Sequence, residues 1–175
     1  MMHPNQYPIG PYQKPEGFTE ATLRTWISAI EALPSWLDVL VQNLDAEALH
    51  TPYRPGGWSI NQIIHHLADS HLNAFVHMKL ALTEDSPEIK PYDQDAWALT
   101  AEIVAEPVNV SITLLHALHR RWVSLMRALS PEQWERTFYH PEHRRSIPLW
   151  ELCALYAWHS RHHMEQIRGV VESLA

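Results

Sequence analysis

Apolar residues recur every three or four positions along four long stretches of the chain, the spacing that marks one face of an α-helix. The first stretch covers residues 19–44 and carries Leu23, Trp26, Ile27, Ile30, Leu33, Leu37, Leu40, Val41 and Leu44, with Pro34 predicting a bend. The turn-rich segment Thr51-Pro52-Tyr53-Arg54-Pro55-Gly56-Gly57 separates it from a second helix over 60–82. Ser59 and Gln62 supply a capping box for this helix, and Trp58 is placed to staple onto Ile63. A third helix fits 108–129, with Ile112, Leu115, Leu118, Trp122, Leu125, Met126 and Leu129 inward, and a fourth opens near Pro148 and runs almost to Ala175.

Between the second and third helices, residues 83–107 carry Pro87, Pro91, Asp93 and Asp95 and show little periodicity. They predict a long connection with one helical turn over 96–101. Ser130-Pro131-Glu132-Gln133 should start a short helix, and 140–145 an irregular link. No segment alternates convincingly as a strand does. The expected fold class is therefore all-α, a four-helix bundle with a long connection between helices two and three, built as one domain over residues 1–175.

Composition narrows the function classes. A net charge of −7 opposes phosphate backbones and anionic lipid, so neither a nucleic-acid nor a membrane partner is expected. The N-terminal Met1-Met2-His3-Pro4-Asn5-Gln6 lacks a basic flank and an apolar run, and no segment approaches the roughly 20 apolar residues that span a bilayer. One cysteine, Cys153, excludes an internal disulfide and a thiolate cluster and suits a reducing, cytoplasmic setting. Against this ordinary background stand 13 histidines and 8 tryptophans.

Position on the helices sorts the histidines. His159 and His163, four residues apart, lie about 40° from each other on the face of the fourth helix that also carries Leu152, Leu155, Tyr156, Ile167 and Val170. Two imidazoles in a buried stripe need partners. A metal would satisfy both, and hydrogen bonds to backbone or a pocket edge would also serve. His162 falls nearer the polar boundary and is expected beside the site or at the surface. Glu165 points away from the pair, which excludes the H-E-x-x-H metalloprotease helix.

On the second helix, His66 sits in a polar stripe with Ser59, Gln62, Asp69, Ser70, Asn73 and His77, which reads either as a solvated face or as the wall of an internal cavity. His116 and His119 flank the apolar stripe of the third helix beside Arg120 and Arg121 and are expected to be exposed. Cys153 lies well around the fourth helix from the histidine pair and reads as a packed, inert thiol.

Trp58-Ser59 leading into His65-His66-Leu67-Ala68-Asp69-Ser70-His71, and Tyr156-Ala157-Trp158-His159-Ser160-Arg161-His162-His163, resemble the YfiT-like branch of the DinB superfamily. Tyr7-Pro8-Ile9-Gly10, Thr51-Pro52-Tyr53-Arg54, Pro91-Tyr92-Asp93 and Phe138-Tyr139-His140-Pro141 extend the similarity over nearly the whole chain. The resemblance implies a four-helix bundle, usually dimeric, with one divalent metal held by His66, His159 and His163. Members are described as metal-dependent hydrolases, and relatives include thiol S-transferases that use bacillithiol or mycothiol-type cofactors.

Three histidines with one position open to water or substrate are the pattern of a catalytic site, since structural zinc is normally closed by four protein ligands. Imidazole suits zinc and nickel alike. Asp69, one turn beyond His66, is the candidate general base or orienting carboxylate, with Gln62 and Asn73 weaker candidates on the same stripe. The first expectation is a hydrolase acting on a small molecule. A metal-dependent transferase joining a low-molecular-weight thiol to an electrophile is the second, and a non-catalytic metal-binding dimerisation module the third.

Overall fold

The computed structural model describes residues 4–174. The reading of Met1-Met2-His3 as part of a leaderless N-terminus lies outside them. After a 3-10 turn at Pro4–Gln6, four long helices dominate: α1 (Glu20–Val41), α3 (Ile60–Thr83), α6 (Val108–Arg127) and α8 (Leu149–Leu174). Short helices α2 (Ala46–Leu49), α4 (Gln94–Trp97), α5 (Ala101–Ala105) and α7 (Pro131–Trp134) fall in the connections, with a hairpin of β1 (Thr137–His140) and β2 (Arg145–Pro148) leading into α8. No helix among the described residues is long and apolar enough to cross a membrane.

The starts of the helices are written locally. Thr19, Ser59 and Ser130 each close a capping box, with Thr22, Gln62 and Gln133 reaching back to the cap N–H. In α3 the Gln62 N–H donates to Ser59 Oγ at 3.2 Å and the Ser59 N–H to Gln62 Oε1 at 3.0 Å. α1 continues through Pro34. Proline has no N–H, so the carbonyl of Ile30, one turn earlier, loses its helical partner.

Two differences from the sequence expectation stand out. The link expected to be irregular over 140–145 is part of an antiparallel hairpin over 137–148, in which Thr137 faces Pro148 and Phe138 faces Ile147. Each strand is only four residues long, too short for alternation to register, and the turn places Arg144 at φ 51 without a glycine to signal it. The connection over 83–107 is also more ordered than expected. Asp93 Oδ1 caps α4, Gln62 Nε2 donates to the Ala98 carbonyl at 3.0 Å, and Asn61 donates to that of Ile103. Ile89 and Tyr139 bridge this connection to β1.

α1 packs chiefly on α6 and α8, and α3 packs on the same two helices, so α1 and α3 face each other across a diagonal. The interior holds two apolar clusters. One gathers Ile27 and Ile30, Phe75 and Met78, Trp122 and Met126, and Trp150 and Leu152; the other gathers Leu33 and Leu37, Ile60 to Leu67, Ile112 and Leu115, and Ile167 and Val170. Burying each such side chain contributes about 1.5–3 kcal/mol over leaving it in water. On α3 and α8 the break between the clusters is occupied by polar side chains, Ser70 and His71, and Ser160, His162 and His163, and His119 of α6 meets them through His71. Polar side chains thus cross the middle of the bundle.

Candidate metal centre

One candidate metal-holding group of three or more His, Cys, Asp or Glu side chains occurs among the described residues, and it comprises His66, His159 and His163. One ring nitrogen from each lies within 4.8 Å of the others. His66 Nε2 and His159 Nε2 are 3.2 Å apart, and the ring centroids of His159 and His163 are 4.5 Å apart at 85°. Two nitrogens bound at about 2.0–2.1 Å to one tetrahedral ion would lie about 3.3 Å apart. The His66–His159 spacing already matches this, and the set as a whole is compact enough to close on a divalent metal.

Burial supplies the charge state that ligation needs. It holds His66 down at about 4, with the neighbouring His162 adding to the effect. His159 and His163 are pushed well below the ordinary imidazole value, by burial first and then by the surrounding imidazoles. All three are neutral at pH 7 and offer lone pairs.

Each ligand candidate is held by something else. Trp58 sits with its ring 4.7 Å from that of His66 and lies nearly parallel to His163 at 6.4 Å. His163 Nδ1 is 2.8 Å from Gln166 Oε1, which leaves Nε2 free, and Gln166 in turn donates to the Gln6 carbonyl at 3.2 Å. The Trp158 indole donates to the Gly10 carbonyl at 3.2 Å, so the N-terminal segment is strapped across α8. Gly10, at φ 79, makes the Tyr7–Gly10 turn in a conformation that favours glycine. His159 Nδ1 lies 3.3 Å from His71 Nε2, His71 Nδ1 lies 2.9 Å from His119 Nε2, and His119 Nδ1 lies 2.6 Å from the Ile30 carbonyl oxygen.

The three imidazoles open onto a cavity of about 660 Å³ lined by Tyr7, Tyr53, Arg54, Trp58, Gln94, Asp95, Trp158, His162 and Gln166 among others. That is ample for a small-molecule substrate. Arg54 is braced there, its Nε donating to Tyr53 Oη at 3.0 Å and its Nη1 to the Pro55 carbonyl at 3.1 Å.

The candidates from sequence fare differently. His66, His159 and His163 come together. Asp69 is not brought to them: it is half-buried and absent from the cavity lining, with its carboxyl raised to about 6 by burial and by the charge of Glu102. The cavity wall carries a different carboxylate, Asp95. Gln62 and Asn73 likewise turn to backbone, the one to Ala98 and the other to the Asp69 carbonyl at 2.8 Å. Cys153 is fully buried and its thiol is pushed up by that burial.

One histidine departs from its expected place. His119 is not exposed but 2 % accessible, while His116 is exposed and pairs with Asp38 at 2.7 Å. His119 lies about 40° from Leu115 and about 20° from Met126 on the helical wheel, inside the apolar stripe, and that signal was available. His162 lies beside the site, one of its two expected places, and not at the surface: it lines the cavity, is 6 % accessible and stacks on Trp158 at 4.6 Å, and its buried Nδ1 has no partner among the described residues. His71, fully buried on the apolar face of α3 beside Leu67, Ala74 and Met78, was not singled out at all.

The DinB superfamily profile matches residues 29–167. A protein of Oceanobacillus iheyensis named "Putative metal-dependent hydrolase" is 48 % identical over 165 residues, covering 94 % of this chain and 95 % of its own length. A Bacillus pumilus protein of the same name is 41 % identical over 167 residues, covering 95 % of each. Among solved structures, YfiT from Bacillus subtilis, described as a probable metal-dependent hydrolase with an unusual four-helix bundle topology, superposes with a TM-score of 0.95 at 39 % identity over 98 % of both chains.

Proposed function

The chain belongs to the DinB superfamily, and from that premise we propose that it is a metal-dependent hydrolase of small molecules whose ion is held by His66, His159 and His163. The observation that carries this reading is the convergence of three neutral imidazoles on the wall of a roomy cavity. Three protein ligands leave a tetrahedral ion one position for water or substrate. Zinc or nickel fits the all-nitrogen set, and such an ion supplies the Lewis acidity that makes water, or a thiol, nucleophilic at neutral pH.

The protein's own groups do the rest. Trp58 and Trp158 exclude water from the inner wall, and the Arg54 guanidinium offers a fixed cation to an anionic group on the substrate. The acid–base role given to Asp69 on sequence passes in this reading to Asp95, the carboxylate on the cavity wall.

A thiol transferase is the second reading. In it the thiol nucleophile enters the cavity as a separate small molecule, since the chain's one thiol, Cys153, is sealed in the core. The protein is proposed to be a cytoplasmic homodimer. Its large exposed apolar side chains include Leu72 and Val76 on α3, Val104 on α5, and Val110 and Leu114 on α6, and α3 packs on both α5 and α6.

The test incubates zinc-loaded and nickel-loaded protein with small esters and amides, and separately with an electrophile and a panel of biological thiols, with products read by mass spectrometry. Metal-dependent products carrying the elements of water support the hydrolase. Thiol conjugates without hydrolysis replace it with the transferase.

A further inference from the structure

The ring nitrogens of His71 and His119, neither of them a metal-ligand candidate, are lined up between the metal centre and a carbonyl on the far helix. We propose that these two side chains form a relay that sets the tautomer of His159, anchored on the Ile30 carbonyl that Pro34 leaves without a helical partner.

The direction of every bond follows from that anchor. A carbonyl only accepts, so His119 Nδ1, 2.6 Å from Ile30 O, carries the proton. Neither relay ring is paired with a carboxylate among the described residues, and both are almost fully buried, so each carries a single proton. His119 Nε2 is then an acceptor, and the His71 Nδ1–H donates to it across 2.9 Å. His71 Nε2 is an acceptor in turn, and the His159 Nδ1–H donates to it across 3.3 Å. What remains on His159 is a bare Nε2 lone pair, the atom that faces His66 Nε2 at 3.2 Å.

Among the described residues, the surroundings leave the relay no other polar exit. Trp122 meets His71 edge-on at 5.8 Å, but its own N–H is spent on Met78 Sδ at 3.2 Å. Tyr156 meets His71 edge-on at 5.0 Å, and its hydroxyl is bonded to Ser70. The rings of His71 and His119 lie nearly parallel, 11° apart, locked between these aromatics. Each long helix contributes one member: Ile30 from α1, His71 from α3, His119 from α6 and His159 from α8. Ligand histidines commonly donate their second nitrogen to a nearby carbonyl or carboxylate. Here two buried imidazoles carry that function across the bundle, which makes His71 and His119 positioning residues.

This inference rests on the metal reading, and the experiment separates the two. Protein labelled with ¹⁵N in the imidazole rings is examined by long-range ¹H–¹⁵N correlation, metal-free and with zinc, and zinc affinity is measured by competition with a chromophoric chelator. His71 and His119 should both be Nδ1–H tautomers in either state. His119→Phe, which keeps a flat aromatic ring and removes both nitrogens, should let the Nε2–H tautomer of His71 appear and weaken zinc binding about 10- to 100-fold. Nε2–H on His71 or His119 in the wild type, or unchanged zinc affinity in a folded His119→Phe, overturns the relay. The wild-type spectra decide alone if the variant does not fold. Failure of the wild type to bind zinc stoichiometrically overturns the metal reading instead.

Discussion

Acid should unfold the metal-free protein well before its carboxylates are fully protonated. His66 and His119 are both held near 4 by burial, against about 6.5 for an exposed imidazole. A folded-state value below the unfolded one means that the unfolded chain binds the extra proton first. Stability from these rings is therefore fully present above pH 6.5 and is lost as pH falls towards 4. Each ring is worth about 3 kcal/mol across that window, and the pair about 6 kcal/mol, a large part of the 5–15 kcal/mol typical of a domain.

His71, His159 and His163 push the same way. Asp69 works against them, since a raised carboxyl is relieved as pH falls through about 6, and it offsets part of the sum. With a urea m value of roughly 2 kcal/mol/M, the midpoint should fall by about 2 M between pH 6.5 and 4.5. The assay is urea unfolding in chelator, followed by circular dichroism at steps of half a pH unit. A midpoint that stays constant over this window would refute the assignment of these histidines as buried and neutral.

Other expectations follow from single side chains. His66→Ala or His159→Ala should abolish stoichiometric zinc binding in equilibrium dialysis, whereas His162→Ala, whose Nδ1 has no partner among the described residues, should largely keep it. Gln166→Ala removes the group that orients His163 and ties α8 to the Gln6 carbonyl, and should raise the zinc dissociation constant by about tenfold in chelator competition. Trp122→Ala empties a fully buried site and should cost about 3–5 kcal/mol, read as a drop of about 10 °C in the calorimetric midpoint.

The long helices were legible because their apolar spacing is sustained over 20 or more residues, and α3 also because Ser59 and Gln62 cap its start. The hairpin was not, because four-residue strands such as Thr137–His140 leave no period to detect. The His159 and His163 pair could be found by its place in an apolar stripe. His66 needed the family resemblance, since its polar stripe does not say what faces it.

His71 and His119 make the instructive miss. Both lie on apolar stripes, one per helix, and a lone histidine in such a stripe says only that a partner exists. That the two partner each other, and that His119 meets the carbonyl Pro34 frees, depends on how α1 and α3 are placed on either side of α6. Helical periodicity carries no information about that placement.

Anomalous diffraction at the zinc edge, from crystals of the zinc-loaded protein, tests the central claim most directly. One strong peak per chain is expected at about 2.0–2.1 Å from Nε2 of His66, His159 and His163, with its remaining position open to the cavity. A peak elsewhere, or a fourth protein ligand closing the ion off from the cavity, would contradict the account.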